Sequence, residues 1–216
     1  ANSINIARLL PQTFYYFLAY QQLRDKSRPF IVSVPSGNLG NLTAGLIAWR
    51  MGLPVEKFVV ASNSNDVVPK YLKSGQFYPK ASVHTVANAM DVGAPSNFER
   101  LRWLVPDDEE LRESFRAISV SDAEIQATIQ DVWDRHLFAI CPHTATAVHA
   151  LDSLALDGSW AVAATAHPAK FESIVEPLVG AHVPPPPALA ELLARRAHAD
   201  PIPADYACFV AQLRSD

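Results

Sequence analysis

Phe30-Ile31-Val32-Ser33-Val34-Pro35-Ser36-Gly37-Asn38-Leu39-Gly40-Asn41-Leu42-Thr43-Ala44-Gly45 is the stretch on which the fold turns. Phe30 to Val34 is a short apolar, β-rich run of the kind buried in a parallel sheet. It stops at Pro35 and a loop with two glycines. Leu42 to Met51 then reads as a helix with small residues at Ala44, Gly45 and Ala48, ended by Gly52 and Pro54. Strand, glycine loop and helix make the first half of a βαβ unit. In the loop, Gly37 and Gly40 let the main chain approach a ligand closely, so that successive N–H groups point into one concavity. The helix that follows adds its positive amino-terminal end, and a phosphate satisfies both without lysine or arginine. The spacing matches neither a Walker loop nor a dinucleotide fingerprint. Spacing alone also fits an ordinary strand-to-helix turn; the position at the carboxyl end of a parallel strand favours the phosphate site.

Outward from this unit the order repeats. Lys57–Ala61 reads as a second strand, Asp66–Ser74 as a helix, and Ser82–Val86 as a short third strand. Helices follow at Asn97–Leu104 and Asp107–Arg116, the latter opening on acidic residues that suit its dipole. Ser121 with Glu124 forms a capping box for a helix reaching Arg135. His143–Leu156 is another helix, Trp160–Thr165 a buried strand, and Pro168 suits a first helical turn. Upstream, apolar residues from Ile4 to Leu23 recur at helical spacing, interrupted by Pro11. The alternation predicts a three-layer α/β/α fold with a mainly parallel sheet. Residues 1–183 form the α/β domain; 184–216 are a four-proline spacer (Pro184–Pro187) and two terminal helices, expected to pack on it.

Of the 216 residues, 49% are hydrophobic and 19% charged, enough for a sizeable core and against global disorder. A formal net charge of −4 argues against a nucleic-acid surface. Cys141 and Cys208 match no zinc spacing and read as reduced thiols of a cytoplasmic protein with no metal site. No apolar run is long enough for a membrane partner to be expected, and the polar start is no signal peptide. The first residue, Ala1, fits a chain beginning in mid-sequence as well as simple methionine removal.

Six segments, in order, resemble the threonine synthases. Val34-Pro35-Ser36-Gly37-Asn38-Leu39-Gly40-Asn41 resembles their phosphate-binding loop, with Leu39 for the usual phenylalanine. Asn2-Ser3-Ile4-Asn5-Ile6-Ala7-Arg8 with Tyr15-Tyr16-Phe17 is similar to a helix of that family. So are Ala61–Asp66, Ala89-Met90-Asp91 with Ser96–Leu101, Pro142–Ala147 and Ala164–Phe171. The resemblance implies a fold-type-II pyridoxal-phosphate enzyme that converts O-phosphohomoserine and water to threonine and phosphate. It implies that the backbone of Gly37, Asn38, Leu39, Gly40 and Asn41 holds the cofactor phosphate, and that the Thr165 hydroxyl meets the pyridine nitrogen. Ser3, Asn5 and Arg8 are the candidates for the substrate phosphate, Arg8 suiting a bidentate grip. Asn97, Glu99 and Arg100 read instead as fixing a helix start and pairing internally, His143 and His167 as capping backbone groups, and Asp91 as a turn residue.

The chemistry also needs a Schiff-base lysine, in this family set between phenylalanine and aspartate in the amino-terminal half. None of Lys26, Lys57, Lys70, Lys73, Lys80 and Lys170 has that context. The expectation is a carboxyl-terminal portion, inactive alone, whose partner is the amino-terminal half of the same enzyme. Two alternatives stand beside it: a phospho-lyase that releases phosphate without making threonine, and a non-catalytic module that binds phosphate or a partner.

Overall fold

The computed structural model describes residues 5–196, 199 and 201–214. The chain divides into two compact units, Ala1–Val183 and Pro184–Asp216.

The first unit opens with two 3-10 turns, Ile6–Arg8 and Leu10–Gln12, and α1 (Thr13–Gln21). Pro11 lies in the first turn of the second 3-10 segment, where its missing N–H costs nothing. Then follow β1 (Phe30–Pro35), α2 (Gly40–Arg50), β2 (Val55–Ser62), α3 (Val67–Ser74), α4 (Phe98–Leu104), α5 (Asp108–Ser114), β3 (Phe115–Ser119), α6 (Asp122–His136), α7 (Pro142–Leu154), β4 (Ser159–Val162) and α8 (Glu172–Val179). The four strands pair in parallel in the order β3-β2-β1-β4. The second unit carries α9 (Pro187–Leu193) and α10 (Tyr206–Arg214), neither of which buries a residue.

All six residues of β1 are buried because helices cover both faces of the sheet. Phe30, Val32, Val34, Phe58 and Val60 pack on one face with Leu42 and Leu46 of α2 and Tyr16 of α1. Ile31, Val59 and Ala61 pack on the other with Ala147 and Ala150 of α7. Phe58 is fully buried between Trp49 and Phe115, at ring-centroid distances of 5.9 and 5.6 Å. The three-layer, parallel α/β/α architecture is therefore present.

The third strand, however, is Phe115–Ser119 and not Ser82–Val86. Side chains replace the strand ladder along 82–86. Val83 N–H donates to Asn65 Oδ1 (2.7 Å), Thr85 N–H to Asp91 Oδ2 (3.1 Å) and Val86 N–H to Asp122 Oδ1 (3.2 Å). The helix expected over Asp107–Arg116 stops at Ser114 because Phe115 and its successors pair with β2. β4 is also shorter than Trp160–Thr165, ending at Val162.

Candidate functional site

The loop between β1 and α2 is built around a leucine in the left-handed region, Leu39 (φ 61°, ψ 12°), which is the N-cap of α2 and makes no side-chain cap. The first helical bond runs from Thr43 N–H to the Leu39 carbonyl (2.8 Å). The N–H groups of Gly37, Leu39, Gly40, Asn41 and Leu42 have no hydrogen-bond acceptor among the described residues. Leu39 and Leu42 are buried, and the other three are partly so. A helix start with no capping side chain leaves these donors to water or to an acceptor from elsewhere. Backbone donors left without an acceptor at the positive end of a helix fit a phosphate group.

Three contacts hold the loop in this shape. Asn41 is fixed by the Tyr16 hydroxyl, which donates to its backbone O (2.8 Å) and Oδ1 (2.7 Å), and its Nδ2 donates to Gln12 Oε1 (3.0 Å). Burial pushes the Tyr16 phenol far above its ordinary pKa, so it stays a donor. Asn38 Oδ1 accepts from Ser96 N–H (2.6 Å) and Ser96 Oγ (3.0 Å), and the Asn38 carbonyl from Asn97 Nδ2 (2.8 Å). Gly37 lies so close to Met90 that a Cβ there would be 2.6 Å from the Met90 Cα.

The segment bearing Met90 is pinned in turn. The Asp91 carboxylate accepts from Asn63 Nδ2 (2.8 Å), Thr85 Oγ1 (2.7 Å) and Thr85 N–H, which makes it a hub for residues 82–91. Ala89 N–H donates to His143 Nε2 (3.1 Å). The neutral ring thus carries its hydrogen on Nδ1, which is buried with no partner among the described residues. His167 caps backbone as well, its Nδ1 accepting from Ala169 N–H (3.2 Å).

Burial holds the His143 pKa below 6.5, with Asp91 opposing and Lys170 adding to the shift. Its folded pKa is thus below its unfolded one. As pH falls below about 6.5 the unfolded chain takes up a proton that the folded chain resists. Stability is expected to fall over that window and level off below the folded pKa, with a slope from this group of at most about 1.4 kcal/mol per pH unit. Urea unfolding at pH 7.5 and 5.5 checks this: His143→Gln should lose part of the difference, and an unchanged difference would remove His143 as its source.

A cavity of about 570 Å³ opens between α1, β1 and the end of β4, and Gln12, Tyr15, Tyr16, Asn41 and Thr165 are on its wall. Of the loop residues Asn41 shares this wall with Thr165, while Gly37, Asn38, Leu39 and Gly40 are not on it. Thr165 is exposed, three residues past the end of β4. Asn5 and Arg8 are not on the wall. Asn5 is the N-cap of a 3-10 turn, not part of a helix with Arg8, and its Oδ1 accepts from Ala7 N–H (3.0 Å). Ser3 lies outside the described residues. None of the six lysines lines the cavity. Lys70 and Lys80 both pair with Asp66. Among the described residues no cluster of metal-binding side chains occurs, and no helix is long and apolar enough to cross a membrane.

The contacts that shape the loop were not legible in the sequence. Asn97, read as fixing the start of α4, makes no side-chain cap there. Nothing in the spacing marks Tyr16 or Ser96 as loop supports, since their partners are 25 and 58 positions away.

Residues 1–165 match the family model described as pyridoxal-phosphate dependent enzyme. The chain belongs to that family, and its sheet and helices are those of fold type II, whose cofactor is pyridoxal phosphate. The particular members it resembles are the threonine synthases: residues 144–211 match the model for their C-terminal region. The threonine synthase of Serratia marcescens is 44% identical over 192 residues, 88% of this chain and 44% of that protein. The crystal structure of the Escherichia coli threonine synthase superposes with a TM-score of 0.89 at 40% identity, over 99% of this chain and 50% of that one. A pyridoxal-phosphate-bound threonine synthase from Brucella melitensis gives 0.81 at 33% identity, over 91% and 48%. The chain thus spans about half the length of the relatives it matches.

Proposed function

We propose that this chain is the carboxyl-terminal portion of a threonine synthase, converting O-phosphohomoserine and water to threonine and phosphate. The observation that carries it is the set of uncapped amides at the start of α2; Asn41, the last residue of that loop, shares a cavity wall with Thr165. The amides of Gly37, Asn38, Leu39, Gly40 and Asn41 would grip the cofactor phosphate, and the Thr165 hydroxyl would face the pyridine nitrogen. A hydroxyl there leaves that nitrogen largely unprotonated. The bound cofactor supplies an electron sink for proton removal next to the amino group. Ser3, Asn5 and Arg8 would hold the substrate phosphate. Asn5 keeps its Nδ2 for that role because its Oδ1 is used on Ala7, and Arg8 supplies a planar pair of donors.

The Schiff-base lysine and the remaining wall of the site would come from the amino-terminal half of the same enzyme. An apolar stripe supports this: Leu10, Phe14 and Leu18 follow one another at helical spacing and are 50%, 64% and 50% exposed. The 216-residue chain alone is expected to form no threonine. Full-length enzyme given O-phosphohomoserine should release threonine and phosphate in equal amounts, read by mass spectrometry and phosphate assay. Phosphate with a keto acid and no threonine would transfer the assignment to a phospho-lyase.

A further inference from the structure

We propose that Asn97 is a positioning residue that aims the loop amides at a phosphate group, a role resting on the anion-loop reading of Gly37–Asn41. Asn97 is fully buried and is the N-cap of α4. Asparagine at that position ordinarily accepts from an amide in the first turn, a bond worth about 1 kcal/mol. Here that bond is not made. The side chain instead donates through Nδ2 to the Asn38 carbonyl (2.8 Å), while its Oδ1 accepts from Arg100 Nη1 (2.6 Å). Arg100 thereby fixes which way the amide is turned, with its nitrogen toward the loop.

Planarity of the peptide unit gives this contact its consequence. In a trans peptide the carbonyl and the next N–H point in opposite directions. Holding the Asn38 carbonyl toward Asn97 holds the Leu39 N–H away from Asn97. That N–H has no acceptor among the described residues. Ser96 strengthens the grip by placing two donors on Asn38 Oδ1. Without Asn97 the Asn38 carbonyl loses the donor that sets the plane of the 38–39 peptide, and the Leu39 N–H loses that constraint on its direction.

The test is a ¹⁵N–¹H NMR titration of the 216-residue chain with inorganic phosphate, read at the Leu39, Gly40 and Asn41 amides. Hydrogen exchange at Val32 and Val60 reports on the core in the same samples. Asn97→Ala should weaken phosphate binding about tenfold, the factor carried by one hydrogen bond of ordinary net strength, with core protection unchanged. Asn97→Asp should weaken it further, because a carboxylate oxygen would then face the Asn38 carbonyl. Unchanged affinity in both variants overturns the inference while leaving the loop reading in place. Weaker binding accompanied by lost protection at Val32 and Val60 also overturns it, since that is a structural role. If the unaltered chain shows no phosphate shift at these amides, the loop reading itself fails and the inference with it.

Discussion

Gly37→Val is expected to abolish phosphate binding by the loop, a loss of at least about a hundredfold, or about 2.7 kcal/mol. A Cβ at position 37 would be 2.6 Å from the Met90 Cα and 3.1 Å from the Met90 carbonyl carbon and oxygen. These are backbone atoms, so no rotamer change relieves the clash. The Met90 turn cannot easily retreat, because its own N–H is bonded to the Ala87 carbonyl (2.9 Å) and the neighbouring Ala89 N–H to His143. The loop must move instead, and its amides move with it. Isothermal titration with inorganic phosphate, alongside a melting curve that establishes folding, reads the effect. A folded Gly37→Val chain with unchanged affinity would mean that these amides do not hold the anion.

Gly45→Ala is expected to destabilise the fold by about 2–3 kcal/mol through overpacking, lowering the melting temperature by roughly 4–12 °C for a chain of this size. The added methyl would be 2.6 and 2.7 Å from the Tyr16 Cε1 and Cζ atoms and 3.0 Å from Phe58 Cε1. Tyr16 cannot swing aside without releasing its hydroxyl from Asn41. Calorimetry of Gly45→Ala, Tyr16→Ala and the double variant checks the mechanism. The double variant should cost clearly less than the sum of the singles; strict additivity would show that the clash with Tyr16 is not the cause.

Much of the sheet was legible because a short apolar run handing over to helical spacing is a local signal. β1 with its loop and α2, β2, and the capping box at Ser121 all follow from neighbours within a few residues. β3 was missed because Phe115-Arg116-Ala117-Ile118-Ser119 continues directly from α5 with an arginine inside it, and only pairing with β2 makes it a strand. Ser82–Val86 has strand-like composition but bonds to Asp91, Asn65 and Asp122 through side chains that no periodicity reveals. The same limit applies at the site. The loop and Thr165 became candidates through local motifs, whereas the grip of Asn97 on Asn38 spans 59 positions.

Leu39 carries a consequence for how ligand affinity depends on the rest of the molecule. A non-glycine residue in the left-handed region is strained by about 1–2 kcal/mol, and burial of the Leu39 side chain, 2% exposed, offsets this. Folding therefore bears the cost of the loop's shape, so an anion bound there would meet an already ordered receptor. The same coupling runs in reverse: truncating a core side chain beneath Leu39 would loosen the receptor and weaken the ligand, although the altered residue touches no atom of it.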